Sequence, residues 1–337
     1  MIILLKSDAD QKTVSDLKEW LTRRDVTLES AYAFGSEVLK VEGDLDKIDY
    51  SIVKRFDCVA SITKAGDSYK FASRHNYPDD TVINVGGIKI GGGNNFHVIA
   101  GPCSVESNDQ IIDIARSVKE SGATILRGGA FKPRTSPYAF QGLKSRGIEM
   151  LYEAKKITGM PIVSEIVDIS ALPFFEHVDI IQVGARNMQN FELLKELGHI
   201  SKPILLKRGP ANTIEEFLMS AEYILAGGNR NVILCERGVR TFENMTRNTL
   251  DVASIPLLKK LTHLPVFADP SHSSGRADIV PQLALACCAA GADGVMVEVH
   301  NDPVNAFSDG AQSITPDACK ELMIKLNAVC KALWVNN

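Results

Sequence analysis

The sequence predicts an α/β chain in which a closed (β/α)8 TIM barrel follows a small α+β unit of ferredoxin-like shape. Three observations carry this reading. From about residue 96 onward, eight short apolar runs alternate with helix-length segments. The first 65 residues follow a different order, βαββαβ. The length of 337 residues exceeds an ordinary single domain and suits a barrel of about 250 residues with an appendage.

Residues 1–65 are read as the first domain. Ile2–Leu5 is a short apolar strand, and Val14, Leu17 and Leu21 then recur at helical spacing. Leu28–Ala33 and Val38–Val41 are strand-like, with a turn at Gly35 and Ser36 between them. Leu45, Ile48, Ile52 and Phe56 give a second helical stripe with Asp44 as its N-cap, and Val59–Ile62 closes the unit. No cysteine pair with cluster-binding spacing occurs here, so the likeness to ferredoxin is one of shape.

Residues 66–95 are read as a connector. Alternating apolar residues around Gly86 and Gly87 predict a β-hairpin that plugs the bottom of the barrel. Residues 96–337 form the barrel, with strands expected at His97–Ala100, Thr124–Leu126, Pro161–Ser164, Asp179–Val183, Pro203–Leu206, Asn231–Leu234, Pro265–Ala268 and Gly294–Val297. A doubly wound open sheet is the competing architecture. It ordinarily carries a Gly-rich phosphate loop after its first strand, where this chain has AGPCSVES.

The apolar fraction of 45% and charged fraction of 23% are those of a globular protein. A net charge of −4 gives no global field favouring nucleic acid or a membrane surface, so neither is expected as a partner. No stretch approaches the roughly 18 apolar residues of a membrane span, and no signal peptide is indicated. Seven cysteines without paired spacing read as reduced thiols, which places the chain in the cytoplasm. No GxSxG elbow, P-loop or CxxC pair is present, so serine-nucleophile and ATP chemistry find no support.

Functional side chains of a barrel come from the C-terminal ends of its strands. Read there, the sequence offers two sets. The first is cationic: Arg127, Lys132, Arg134, Arg186, Lys207, Arg208 and Arg237. One such residue is ordinarily a solvated loop side chain, but strands two, four, five and six all end this way. Arginine suits bidentate binding of phosphate and carboxylate, so polyanionic ligands explain the set. The second set is Cys103, His272, Glu298 and Asp309 from strands one, seven and eight, which become neighbours once the barrel closes. A thiolate with an imidazole suits Zn, Fe or Cu, and two carboxylates extend this to Mn or Co. A lone cysteine is more often a small buried hydrophobe, the reading given to the other six; Cys103 differs in following Gly101-Pro102 at a strand end.

Together the segments AGPCSVE, LRGGAFKPRTSPYAFQGL, QVGARNMQNFELL, LLKRG, LCERG, DPSHSSGR and VEVH…SDG resemble the type I 3-deoxy-D-arabino-heptulosonate 7-phosphate (DAHP) synthases. The likeness covers essentially the whole chain and is greatest to the beta subgroup, whose members carry an N-terminal ferredoxin-like regulatory domain. KPRTSPY is its most specific element; the sister octulosonate 8-phosphate synthases typically read KANRS there and normally lack the N-terminal unit.

The resemblance implies a transferase that condenses phosphoenolpyruvate with erythrose 4-phosphate, giving DAHP and phosphate, the first step of the shikimate pathway to aromatic amino acids. It implies that Arg127, Lys132, Arg186, Lys207 and Arg237 hold phosphoenolpyruvate. Lys132, Pro133, Arg134 and Thr135 would meet erythrose 4-phosphate, with Arg134 and Thr135 on its phosphate. Ser136, Gln182, Ala185 and Arg208 complete the expected substrate-binding set. Cys103, His272, Glu298 and Asp309 match the family's ligands for one divalent metal, with Mn, Zn, Fe, Co and Cd all open. Lys132, Glu165, Cys103 and His272 form the expected catalytic set, Lys132 protonating the new alkoxide and Glu165 orienting water or relaying a proton. A homotetramer, feedback-inhibited by tyrosine or phenylalanine, is also implied. Alternatives are an octulosonate synthase using arabinose 5-phosphate, a non-catalytic aromatic amino-acid sensor on the same fold, and a metal-dependent hydrolase, which leaves the cations without a purpose.

Overall fold

The structure is a computed structural model that describes residues 1–33, 36–63, 68–93, 95–132 and 136–334. The chain divides into two compact units, Met1–Lys70 and Phe71–Asn337.

In the first unit, β1 (Ile2–Leu5), β2 (Val26–Ala33), β3 (Ser36–Gly43) and β4 (Val59–Thr63) form one antiparallel sheet in the order β2-β3-β1-β4. Helix α1 (Gln11–Thr22) begins at Asp10, whose carboxylate accepts from Thr13 N, and buries Leu17 and Leu21. These leucines pack with Ile3, Leu5, Leu39 and Val41, so alternate positions of β1 and β3 face the helix. The expected second helix is split into a 3₁₀ turn (Leu45–Lys47) and the short α2 (Tyr50–Val53). The cause is Asp49, extended at φ −78°, ψ 106°, whose side chain caps Ser51 N and starts a new turn. Gly35 of the expected turn lies outside the described residues, and Ser36 is already the first residue of β3.

The second unit opens with the hairpin β5 (Ile83–Val85) and β6 (Ile88–Ile90). Eight parallel strands then close on themselves: β7 (His97–Gly101), β8 (Ile125–Arg127), β9 (Ile162–Ile166), β10 (Ile180–Val183), β11 (Ile204–Lys207), β12 (Val232–Glu236), β13 (Val266–Ala268) and β14 (Gly294–Glu298). Closure is by β14 on β7, with Gly294 opposite His97. Around the barrel run α3 (Asn108–Ser121), α4 (Ser145–Thr158), α5 (Phe191–Gly198), α6 (Ile214–Ala226), α7 (Ser254–Leu261), α8 (Pro270–Ser274), α9 (Val280–Ala289) and α10 (Pro316–Trp334). Between β9 and β10 the connection is a 3₁₀ helix, Ile169–Phe175, because Pro173 lacks the N–H an α-helix interior requires.

Hairpin residues Ile83, Val85 and Ile90 share one buried cluster with Ile99, Ile125, Val163, Leu205, Phe267 and Met296 from inside the barrel. Gly86 abuts Pro161 and Gly91 abuts Pro265, both just ahead of a strand, so the hairpin closes the N-terminal end. The opposite end, where the strands finish, is left for chemistry.

Candidate active site

A cavity of about 660 Å³ opens at the C-terminal end of the barrel. Among the residues singled out in the sequence, Lys132, Ser136, Glu165, Ala185, Arg186, Lys207, Arg237, His272 and Asp309 line it. Pro133, Arg134 and Thr135 lie outside the described residues.

One end of the site is built by β7, β14 and the turn after β13. Gly101 ends β7 at φ +149°, and a Cβ there would stand 2.2 Å from the carbonyl oxygen of Arg127. Glycine is therefore what lets the chain turn at Pro102 and present Cys103 inward. The Cys103 thiol donates to Asp309 Oδ2 at 3.2 Å, and His272 Nε2 lies 3.2 Å from Glu298 Oε1. The ligand atoms of Cys103, His272, Glu298 and Asp309 all fall within 4.8 Å of one another. Asp309 holds φ +52°, a left-handed conformation uncommon outside glycine, and Arg247 donates to its Oδ1 at 2.9 Å.

The charge states suit a cation. Burial lowers His272, outweighing the opposite pull of Asp269 and Glu298, so its ring is neutral at pH 7. Burial alone would raise Glu298, but His272, Arg127 and Lys132 together hold it below the usual carboxylate range. Burial pushes the Cys103 thiol up to about 12, with Glu298 adding to the rise and Lys132 and Arg127 opposing it. The imidazole is aimed by its other nitrogen: Nδ1 contacts Asp269 Oδ2 at 2.7 Å, and Lys207 bonds the same oxygen. A carboxylate behind a histidine is the usual support of a metal-binding ring. One thiol, one imidazole and two carboxylates, converging and supported, fit a divalent transition ion.

The remaining wall is cationic. Lys132 Nζ donates to the Cys103 carbonyl at 2.5 Å and lies 3.0 Å from its sulfur. Arg127 is buried and donates to Glu298 Oε1 at 2.5 Å, behind the wall rather than on it. Lys207, Arg186 and Arg237 follow around the rim of strands, with Arg237 fixed by a 2.9 Å bond to the His272 carbonyl. Glu165 stands among these cations. Gln182 is buried and donates to Glu165 Oε2 at 2.8 Å, and a Cβ on Gly184 would come within 2.1 Å of Glu165 Oε1.

Three expected substrate contacts, Arg127, Gln182 and Arg208, do not line the cavity and are engaged with neighbours. Gln182 orients Glu165 and is not on the cavity wall. Arg208 is buried against Glu236 and Asp251, each 2.9 Å away, and does not line the cavity. Reading strand ends missed Arg240, Arg247 and Asn248, which also line the cavity. They sit in the long segment after β12, and its arginine spacing, RTFENMTRN, is the signal that pointed to them.

The sequence model of the DAHP synthetase I family matches residues 71–333. The chain belongs to that family. As a member of the DAHP synthetase I family, it is 46% identical over 344 residues to a phospho-2-dehydro-3-deoxyheptonate aldolase of Thermotoga maritima, covering 99% of each chain. A crystal structure of the Thermotoga maritima DAHP synthase superposes with a TM-score of 0.79 at 45% identity, covering 98% of this chain and 97% of that one. More distant is a 2-dehydro-3-deoxyphosphooctonate aldolase of Geobacter sulfurreducens, 31% identical over 73% of this chain and 97% of its own.

Proposed function

We propose that the chain is a metal-dependent 3-deoxy-7-phosphoheptulonate synthase, condensing phosphoenolpyruvate with D-erythrose 4-phosphate to DAHP and phosphate. The observation that carries this reading is a cavity whose cation-rich wall meets a four-residue metal-ligand cluster through His272 and Asp309. The full-length relationship to the Thermotoga maritima protein supports the heptulonate over the octulosonate reaction, since the octulosonate relatives match about three quarters of the chain at lower identity.

Phosphoenolpyruvate carries a phosphate and a carboxylate, and Lys132, Arg186, Lys207 and Arg237 supply donors for both. Holding it beside the aldehyde of the second reactant lends the reaction an effective concentration worth about 7–11 kcal/mol. When bound by Cys103, His272, Glu298 and Asp309, a divalent ion supplies Lewis-acid polarisation of a carbonyl oxygen. C3 of phosphoenolpyruvate then forms its bond to the aldehyde carbon, and the alkoxide takes a proton from Lys132 Nζ. Water positioned by Glu165 adds at C2 and passes a proton to the Glu165 carboxylate, which returns it to Lys132; phosphate departs with C–O cleavage, taking the remaining hydroxyl proton as the C2 carbonyl forms. Mn, Zn, Fe, Co and Cd all suit the donor set.

The N-terminal domain, residues 1–65, serves regulation by an aromatic amino acid, tyrosine or phenylalanine, in a cytoplasmic homotetramer. Residues 66–95 connect it to the catalytic barrel of 96–337. A solved structure of a truncated form of the Thermotoga maritima synthase aligns with 79% of this chain, which supports a barrel able to stand alone.

The test is loss of phosphoenolpyruvate absorbance on mixing with erythrose 4-phosphate, with and without chelator, and with arabinose 5-phosphate in a parallel arm. Turnover only with arabinose 5-phosphate, or full turnover in chelator, overturns the reading. Deleting residues 1–65 should keep turnover and abolish inhibition by tyrosine or phenylalanine.

A further inference from the structure

The segment after β12 returns on itself as a hairpin-like excursion. Val239 and Thr249 exchange both backbone hydrogen bonds at 2.9 Å, closing its neck. The outgoing limb is tied by Arg240 N to the Pro210 carbonyl at 2.7 Å. The returning limb is tied to α8, the helix that carries His272: Arg247 N donates to Ser274 O at 2.9 Å and Asn248 N to Ser273 O at 2.7 Å. Below the neck, Glu236 Oε1 accepts from Gly238 N at 2.6 Å. Asn248 is therefore fixed to the same helix as the imidazole, and its neighbour Arg247 reaches Asp309.

Asn248 is only 7% exposed, yet its side chain lines the cavity, and among the described residues its amide group has no hydrogen-bond partner. The amide is open to the cavity rather than sealed within the fold, so a ligand that enters the cavity meets it. The chemistry of the amide narrows which ligand. Most polar donors on this wall are cations, suited to phosphate or carboxylate, and His272 belongs to the metal-ligand cluster; besides the Ser136 hydroxyl, the Asn248 amide offers a donor and an acceptor together. Ionised phosphoenolpyruvate has only acceptors. The aldose phosphate carries hydroxyl groups, which both donate and accept.

We propose that Asn248 is a specificity-determining residue that hydrogen-bonds a hydroxyl group of the aldose phosphate substrate. This rests on the synthase reading above and assigns to the hairpin the discrimination among aldose phosphates. A site built around such a bond penalises an analogue lacking the hydroxyl, because the amide is then left desolvated and unpaired.

The experiment uses the full metal-loaded chain and the substrates erythrose 4-phosphate, 2-deoxyerythrose 4-phosphate and 3-deoxyerythrose 4-phosphate. In the parent, one of the two deoxy analogues should lose about tenfold or more in kcat/KM. Asn248→Ala should lose a similar factor with erythrose 4-phosphate and no further factor with that analogue, while KM for phosphoenolpyruvate holds. Asn248→Asp, which keeps the shape, serves if the alanine variant does not fold. Equal activity of the parent on all three aldoses overturns the proposal without any variant. So does a loss in Asn248→Ala that is the same for every aldose, or one that falls equally on phosphoenolpyruvate. Absence of any turnover of erythrose 4-phosphate by the parent overturns the synthase reading and this proposal together.

Discussion

Lys207 and His272 meet on a single oxygen, Oδ2 of the fully buried Asp269. One residue belongs to the cationic wall and the other to the metal-ligand cluster, so one carboxylate orients a member of each. Burial alone would raise Asp269, but His272 and Lys207 outweigh it and keep the group charged. Asp269→Asn keeps the shape and removes the charge. Loss of the oriented imidazole should weaken divalent-metal affinity about 10–100-fold. Competition against a chromophoric chelator measures this, and unchanged affinity in the variant would sink the supporting role.

The Cys103 thiol, with its pKa pushed to about 12, is protonated in the metal-free site throughout the neutral range. His272 is neutral there, and Glu298 and Asp309 are ionised. Thiolate coordination must therefore displace about one proton per ion. Since protons compete with the ion, affinity rises as pH rises, by about tenfold per unit between about pH 6.5 and 8.5. Calorimetric titration with Zn²⁺ or Mn²⁺ in buffers of different ionisation enthalpy counts the protons. A pH-independent affinity would mean that Cys103 is not a ligand.

How much of this was legible in the sequence depends on the range of the interaction. The eight strands were readable because each is a continuous apolar run, and six of the eight begin within one residue of where periodicity placed them and two begin together with it. Cys103, His272 and Glu298 are legible at or just past strand ends, since barrel closure fixes which ends are neighbours, whereas Asp309, eleven residues past β14, is legible as a fourth ligand through the family resemblance. The pairing of Arg208 was not legible: its place at a strand end says nothing about Glu236 and Asp251, which approach from β12 and the segment beyond it. Asn248 and Arg247 lie about ten residues past a strand end, and only the hairpin's tertiary hydrogen bonds bring them back. The second helix of the first unit failed locally, because Asp49 offered a cap that the apolar stripe did not reveal.

Arg208 pairs with Glu236 and Asp251 and does not line the cavity, so bracing the fold and binding substrate separate experimentally. Arg208→Ala leaves Glu236, which is fully buried, without its cation. Breaking a buried pair from one side costs about 3–5 kcal/mol. The denaturation midpoint of the variant should fall accordingly in the absence of substrates. A variant of parental stability whose only change is a raised KM would instead make Arg208 a substrate contact.

Gly184 tests Glu165 without touching its carboxylate. A Cβ at position 184 would meet Glu165 Oε1 at 2.1 Å and its carboxyl carbon at 2.7 Å, so Gly184→Ala must displace the group that Gln182 holds. The backbone at Gly184 is extended, φ −66° and ψ 154°, and accepts alanine without strain, so the effect reports the side-chain collision alone. If Glu165 positions water during the reaction, the variant should lose about 10²-fold in kcat with a much smaller change in KM for phosphoenolpyruvate. Glu165→Gln should show the same division between kcat and KM. A variant in which only KM for phosphoenolpyruvate rises would assign Glu165 to the binding wall instead, as a carboxylate that spaces the cations around it.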